Sequence, residues 1–270
     1  MILQMDIPES TQTLEEFLVE ASPTLIMFPK LELLVNKEEP ILEDVLEICS
    51  NDMGLFHKLT GRRGSRTNQE DFARDILFIK GLSFLKSLAI RTLNHEIYEL
   101  PLGLNGMSSS QLRRRSILLA RFVKQFADDL RIEPDHLYIA GLLYNLPYVS
   151  YEHLIKTERF TEESFSEVRP ETVKMTCEIL EKFGFGSYII HILEDSVLDI
   201  QQSRNPGEQA LLRIANNILE STEQNNFIVG KNTYVDEKML EITGYSEQEI
   251  LILLKELSRN YKGTSDGWSK

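Results

Sequence analysis

The sequence predicts an all-α protein, and three observations carry that reading. Apolar residues recur at three- and four-residue spacing in nearly every segment, no stretch alternates as a half-buried strand would, and the segment ends carry helix punctuation. With 270 residues, 42% of them hydrophobic, the chain can bury a sizeable core.

The elements follow in chain order. "PILEDVLEICSNDMGLFHKL" sets Ile41, Val45, Ile48 and Cys49 on one helical stripe. "SSSQLRRRSILLARFVKQFADDL" is the clearest helix: the serines at 108–110 supply N-caps, and Leu112, Leu119, Val123, Phe126 and Leu130 form its apolar face. Pro134 and Asp135 start a helix through Leu143, which Pro147 should stop or kink. "PETVKMTCEILEKFG" has Pro170 near its start and Gly184 just past its end. "GEQALLRIANNILE" is amphipathic, and "YSEQEILILLKELSRN" opens with the capping box Ser246 and Glu249. The breaks "TGRRGSRTNQ", "LPLGLNGMSSS" and "QQSRNPGE" are local, and no internal repeat is evident.

Composition excludes several function classes. A formal net charge of −13 repels nucleic acid and anionic lipid at long range, so no nucleic-acid partner is expected. No uninterrupted apolar run is long enough to span a bilayer, so no membrane insertion is expected. "MILQMDIPESTQTLEEF" lacks the basic start and apolar run of an export signal, which predicts a cytoplasmic location. Cys49 and Cys177, both in helical apolar patterns, are expected as buried free thiols. There is no nucleophile elbow, P-loop or dinucleotide glycine pattern, and no cofactor is expected.

Four stretches in order carry a family resemblance. They are "FPKLELLVNKEEPILEDVLEICSNDMGLFHKL", "FARDILFIKGLSFLKSLAI" with its break at Gly81, "RRSILLARFVKQFA", and "LYIAGLLYNLPYVSYEHL". Together they resemble the HDOD family, the HD-related output domains of bacterial signalling, over roughly Ser22 to Leu257. Asn51-Asp52 stands where the family commonly has Asp-Pro, and "AGLLYN" stands where the family form is close to A-G-L-L-H-D. The resemblance implies a multi-helix HD-like bundle with a small N-terminal helical subdomain. On that frame, residues 1–21 are a partly helical extension, 22–222 the HDOD-like domain, and 223–270 a helical segment packed on it.

The resemblance also places the candidate pocket. Metal-dependent HD enzymes need converging histidines and aspartates around a divalent ion that activates water. Here the corresponding positions fall near Arg115-Ser116, on Tyr144-Asn145, and near Ala215-Asn216. A guanidinium repels a cation, and phenol and carboxamide are poor ligands at neutral pH. The implied protein is therefore not an enzyme. It is a signalling module that docks another signalling protein, or else a receptor that keeps a nucleotide in a degenerate pocket lined by Arg115, Ser116, Tyr144, Asn145 and Asn216. A third reading, a surviving phosphohydrolase, would need His191 and Asp195, which can share a helical face in "HILEDSVLD"; a surface charge cluster of His191, Glu194 and Asp195 is the expectation there.

Two arginine clusters stand apart from the motif. Arg62, Arg63 and Arg66 lie in a glycine-flanked stretch, where guanidinium forks can grip phosphate, carboxylate or a partner. Arg113, Arg114 and Arg115 lie in the first turns of a helix, against its dipole, and require acidic partners or an anionic ligand.

Overall fold

Local sequence signals set most of the helix boundaries. The computed structural model describes residues 13–61, 66–98, 108–157, 164–224 and 235–261, with side chains from 70 onward in the second span and to 221 in the fourth. The described residues form an all-α multi-helix bundle, with no strand among them. No helix among them is long and apolar enough to cross a membrane.

The first half comprises α1 (Leu14–Ala21), α2 (Pro23–Val35), α3 (Leu42–Asn51), α4 (Met53–Thr60), α5 (Arg66–Lys80) and α6 (Leu82–Tyr98). Thr13 and Glu16 form a capping box on α1, and Ser22 accepts from the Leu25 N–H before Pro23 opens α2. Asp52 separates α3 from α4 and caps α4 by accepting from the Leu55 N–H at 2.9 Å. The break between α5 and α6 falls at Gly81, whose φ of +79° is left-handed backbone that favours glycine. Val45 and Cys49 are buried as the stripe in α3 requires, whereas Ile41 precedes that helix and is 56% exposed.

The second half holds α7 (Ser109–Lys124), α8 (Ala127–Leu130), α9 (Pro134–Leu143), α10 (Leu146–Lys156), α11 (Phe165–Phe183), α12 (Ser187–Asp195), α13 (Pro206–Gln224), α14 (Glu237–Thr243) and α15 (Glu247–Arg259). Ser108 caps α7 in a capping box with Gln111. That helix ends at Lys124, and the short α8 carries on beyond it, so the expected single helix through Leu130 is two. The helix opened by Pro134 ends at Leu143 as expected, and Pro147 then sits in the first turn of α10, where its missing N–H is harmless. Pro170 lies inside α11, because the upstream capping box of Ser164 and Glu167 starts that helix earlier than the proline does. Gly184 ends α11 in left-handed conformation, and Ser246 with Glu249 caps α15, both as the sequence predicts.

Two apolar clusters hold the bundle. The larger contains Leu14, Leu18, Leu25, Phe28, Leu55, Leu85 and Leu93, and extends to Leu180 and Leu193. The smaller joins Leu119, Phe122 and Val123 of α7 to Leu137 and Ala140 of α9, Ile214 and Ile218 of α13, and Ile250 and Leu254 of α15. Thus α15 rests on α7 and α13, and α14 rests on α13. Arg114 reinforces the attachment: it donates to the Ser258 hydroxyl at 2.8 Å and stands over the Tyr261 ring. Cys49 and Cys177 are free and buried, and burial pushes each thiol up to about 12, outside the reactive range.

Candidate functional site

The site grows from one helix crossing. Helices α7 and α9 pack more extensively than any other pair, and α9 ends beside the middle of α7. The chain then turns at Tyr144 and Asn145 before α10 begins. The start of α11 and the second half of α13 close the remaining sides.

A cleft of about 470 Å³ opens where these elements meet. Its lining includes Leu112 and Arg115 from α7, Tyr144 and Asn145 from the turn, Tyr148 from α10, Phe165 and Arg169 from α11, and Asn216 and Glu220 from α13. Four of the sequence-derived pocket residues, Arg115, Tyr144, Asn145 and Asn216, therefore share one cavity. The fifth, Ser116, is fully buried behind the wall, where its hydroxyl accepts from the Asn145 amide at 3.4 Å.

Charge and polarity in the cleft are uneven. The Arg115 side chain is only 6% exposed, and its guanidinium faces the Glu220 carboxylate at 3.8 Å. The Asn216 Oδ1 is buried without a hydrogen-bond partner among the described residues. Arg169 forms no ion pair among the described residues. Tyr148 and Phe165 meet edge to face at 5.2 Å and supply an apolar wall.

The donor set does not fit a divalent metal. Arg115, Tyr144, Asn145 and Asn216 bring a guanidinium, a phenol and two carboxamides to the cleft, whereas a divalent metal calls for imidazole and carboxylate ligands. Among the described residues no group of three His, Cys, Asp or Glu side chains is placed to hold a metal ion.

Asp195 is committed elsewhere. It is fully buried and accepts from the Arg204 Nε at 2.9 Å, the Arg204 Nη2 at 2.6 Å, the Arg204 backbone N–H at 2.7 Å and the Ser203 hydroxyl at 3.0 Å. Burial alone would raise its pKa, yet the Arg204 and Ser203 hydrogen bonds prevail and hold it below the usual carboxylate range. The surface charge cluster expected from the sequence is therefore not one: Asp195 is buried in a clamp with Arg204 between α12 and the approach to α13.

Other expected residues separate in the same way. Arg62 and Arg63 lie outside the described residues; Arg66 opens α5, and its side chain also lies outside them. In the arginine run of α7, Arg114 reaches the C-terminal helix while Arg115 turns into the cleft. His153 stacks on Phe17 at 4.1 Å, and His136 lies 3.9 Å from Glu32.

Sequence reasoning missed Arg169, Glu220, Tyr148 and Phe165. The available signal was spacing: Phe165 with Arg169, and Asn216 with Glu220, each stand one helical turn apart on a shared face.

No protein-family model matches the chain, and no curated protein matches it. Among solved structures, it is similar to the crystal structure of a "Putative phosphohydrolase" from Shewanella amazonensis SB2B, at 13% identity and a TM-score of 0.48, over 92% of this chain and 99% of that one.

Proposed function

We propose that this chain is a non-catalytic signalling module of the HDOD kind whose cleft receives a small anionic ligand, with a nucleotide as the ligand class. The observation that supports this most is that two guanidiniums, Arg115 and Arg169, line one cavity. Arginine forks hold phosphate bidentately, and a buried cationic pocket attracts anions. An aromatic wall of Tyr148 and Phe165 suits a planar base. A volume of about 470 Å³ lies within the usual range of small-molecule sites.

Calorimetric titration of the purified chain with nucleoside monophosphates and cyclic dinucleotides tests the reading. Micromolar binding without phosphate release, in the presence or absence of manganese, is the expected result. Indifference to every nucleotide at millimolar concentration would sink it, and phosphate release would return the chain to the enzymes.

A second reading, docking of another signalling protein, is favoured by α5. Phe78 and Ile79 lie side by side near its end and are 87% and 75% exposed, unusual for large apolar side chains. Phe78→Asp with Ile79→Asp should abolish partner association in a two-hybrid assay while leaving nucleotide titration unchanged. Unaltered association would move the interface away from α5.

A further inference from the structure

Glu220 occupies an odd position for a structural counter-ion. A guanidinium as buried as that of Arg115 requires negative charge nearby. Glu220 answers at 3.8 Å, beyond hydrogen-bond reach, and its own side chain is 46% exposed. A carboxylate so loosely held, with a route to water, is inexpensive to displace. Arg169 lines the same cleft and has no ion pair among the described residues, so the described lining sets two guanidiniums beside one carboxylate.

We propose that Glu220 is a built-in competitor for the anion subsite, and that the phosphoryl group of a small phosphate monoester takes its place between Arg115 and Arg169. This rests on the receptor reading above and adds how the site is regulated and which feature of the ligand it reads. The incoming phosphoryl oxygens accept from both guanidiniums, and the Glu220 carboxylate moves outward and regains its hydration. Binding therefore exchanges one anion for another beside Arg115.

The neighbouring residue on α13 defines a second requirement. The Asn216 Oδ1 is buried with no donor among the described residues, one turn before Glu220. An N–H or O–H on the ligand satisfies it, so a phosphate monoester bearing a donor is favoured over inorganic phosphate. A small molecule fits better than a phosphorylated protein surface, because Arg115 and Tyr144 are 5% and 3% exposed and the anion must pass into the interior.

The experiment uses the full chain, GMP and inorganic phosphate as probes, and the variants Glu220→Gln and Arg169→Gln. Removing the competing charge in E220Q should tighten GMP binding roughly fivefold, the equivalent of one partly exposed ion pair. R169Q should weaken GMP by a similar or larger factor, and inorganic phosphate should bind the wild type more weakly than GMP does. Chemical denaturation of E220Q separates the roles, since a merely structural Glu220 would lower the unfolding midpoint without tightening the ligand. Wild-type binding that is unchanged or weakened in E220Q would overturn the competitor while leaving the receptor intact. If neither protein binds GMP or phosphate, the receptor reading falls and takes this proposal with it.

Discussion

Gly141 of α9 lies directly against the backbone of Ala120 in α7: a Cβ at position 141 would meet the Ala120 Cα at 2.7 Å and its N at 3.0 Å. Backbone cannot yield as a flexible side-chain end can. Gly141→Ala should therefore force the two helices apart and lower stability by about 1–3 kcal/mol. Because Arg115 and Tyr144 hang from these helices, the variant should also weaken any ligand of the cleft. Urea denaturation checks the first effect and titration the second; an unchanged unfolding midpoint would show that the crossing has slack.

Asp52 and Glu96 form a second close relationship, remote from the cleft. Both carboxylates flank Gly54, where a Cβ would meet Glu96 Oε1 at 2.7 Å and Asp52 Oδ1 at 3.3 Å. Asp52 accepts from the Thr24 hydroxyl at 2.5 Å, and Glu96 accepts from the Ser22 hydroxyl and the Thr24 N–H, each at 3.0 Å. Burial first, and then the neighbouring Asp52 charge, push the Glu96 pKa up despite those hydrogen bonds. A pKa higher in the folded than the unfolded chain adds stability below the unfolded value, and that stability is lost as pH rises through the folded value. Glu96→Gln, which stays neutral, should flatten the stability curve over the window just above the ordinary glutamate range. Denaturation midpoints between about pH 4 and pH 7 measure this, and parallel curves for the two proteins would refute it.

Asp195 and Arg204 give the opposite sign. The Asp195 pKa is depressed in the fold, so its contribution is present above the unfolded value and disappears as pH falls through the folded one. Arg204→Met leaves a fully buried carboxylate without its main donors and should cost about 3 kcal/mol at neutral pH. The deficit should shrink in acid, as Asp195 takes up a proton. A constant deficit across the acid range would mean that Arg204 acts through its packing rather than its charge.

What was legible in the sequence was local. The N-cap serine at 108, the capping box at Ser246 and the glycine breaks at Gly81 and Gly184 depend on residues within a turn of one another, and the structure places them as read. Pro170 misled because the signal that starts α11, Ser164 with Glu167, lies upstream of the segment taken as the helix. Ile41 fitted the stripe by spacing, but it precedes the helix that would have buried it. In the cleft, Arg115, Tyr144, Asn145 and Asn216 were singled out by a family resemblance and line one cavity, whereas Arg169 and Glu220 did not emerge from it. One-turn spacing ties Arg169 to Phe165 and Glu220 to Asn216 within their own helices, but their convergence depends on how α11 and α13 close around α7.

Asn216 distinguishes a retained site from a vestige. Its Oδ1 is buried without a hydrogen-bond partner among the described residues, which costs stability unless a donor is supplied. Asn216→Leu has nearly the same volume and takes away the unsatisfied acceptor, so the ligand-free protein should gain about 1 kcal/mol. The same change removes the acceptor offered to a ligand donor, so GMP affinity should fall while inorganic phosphate, which relies on the arginines, is less affected. Denaturation and titration of the one variant therefore give opposed readings if the cleft is in use. A gain in stability with unaltered GMP affinity would make the asparagine a relic, and a loss of stability would mean that its amide already meets a structural need.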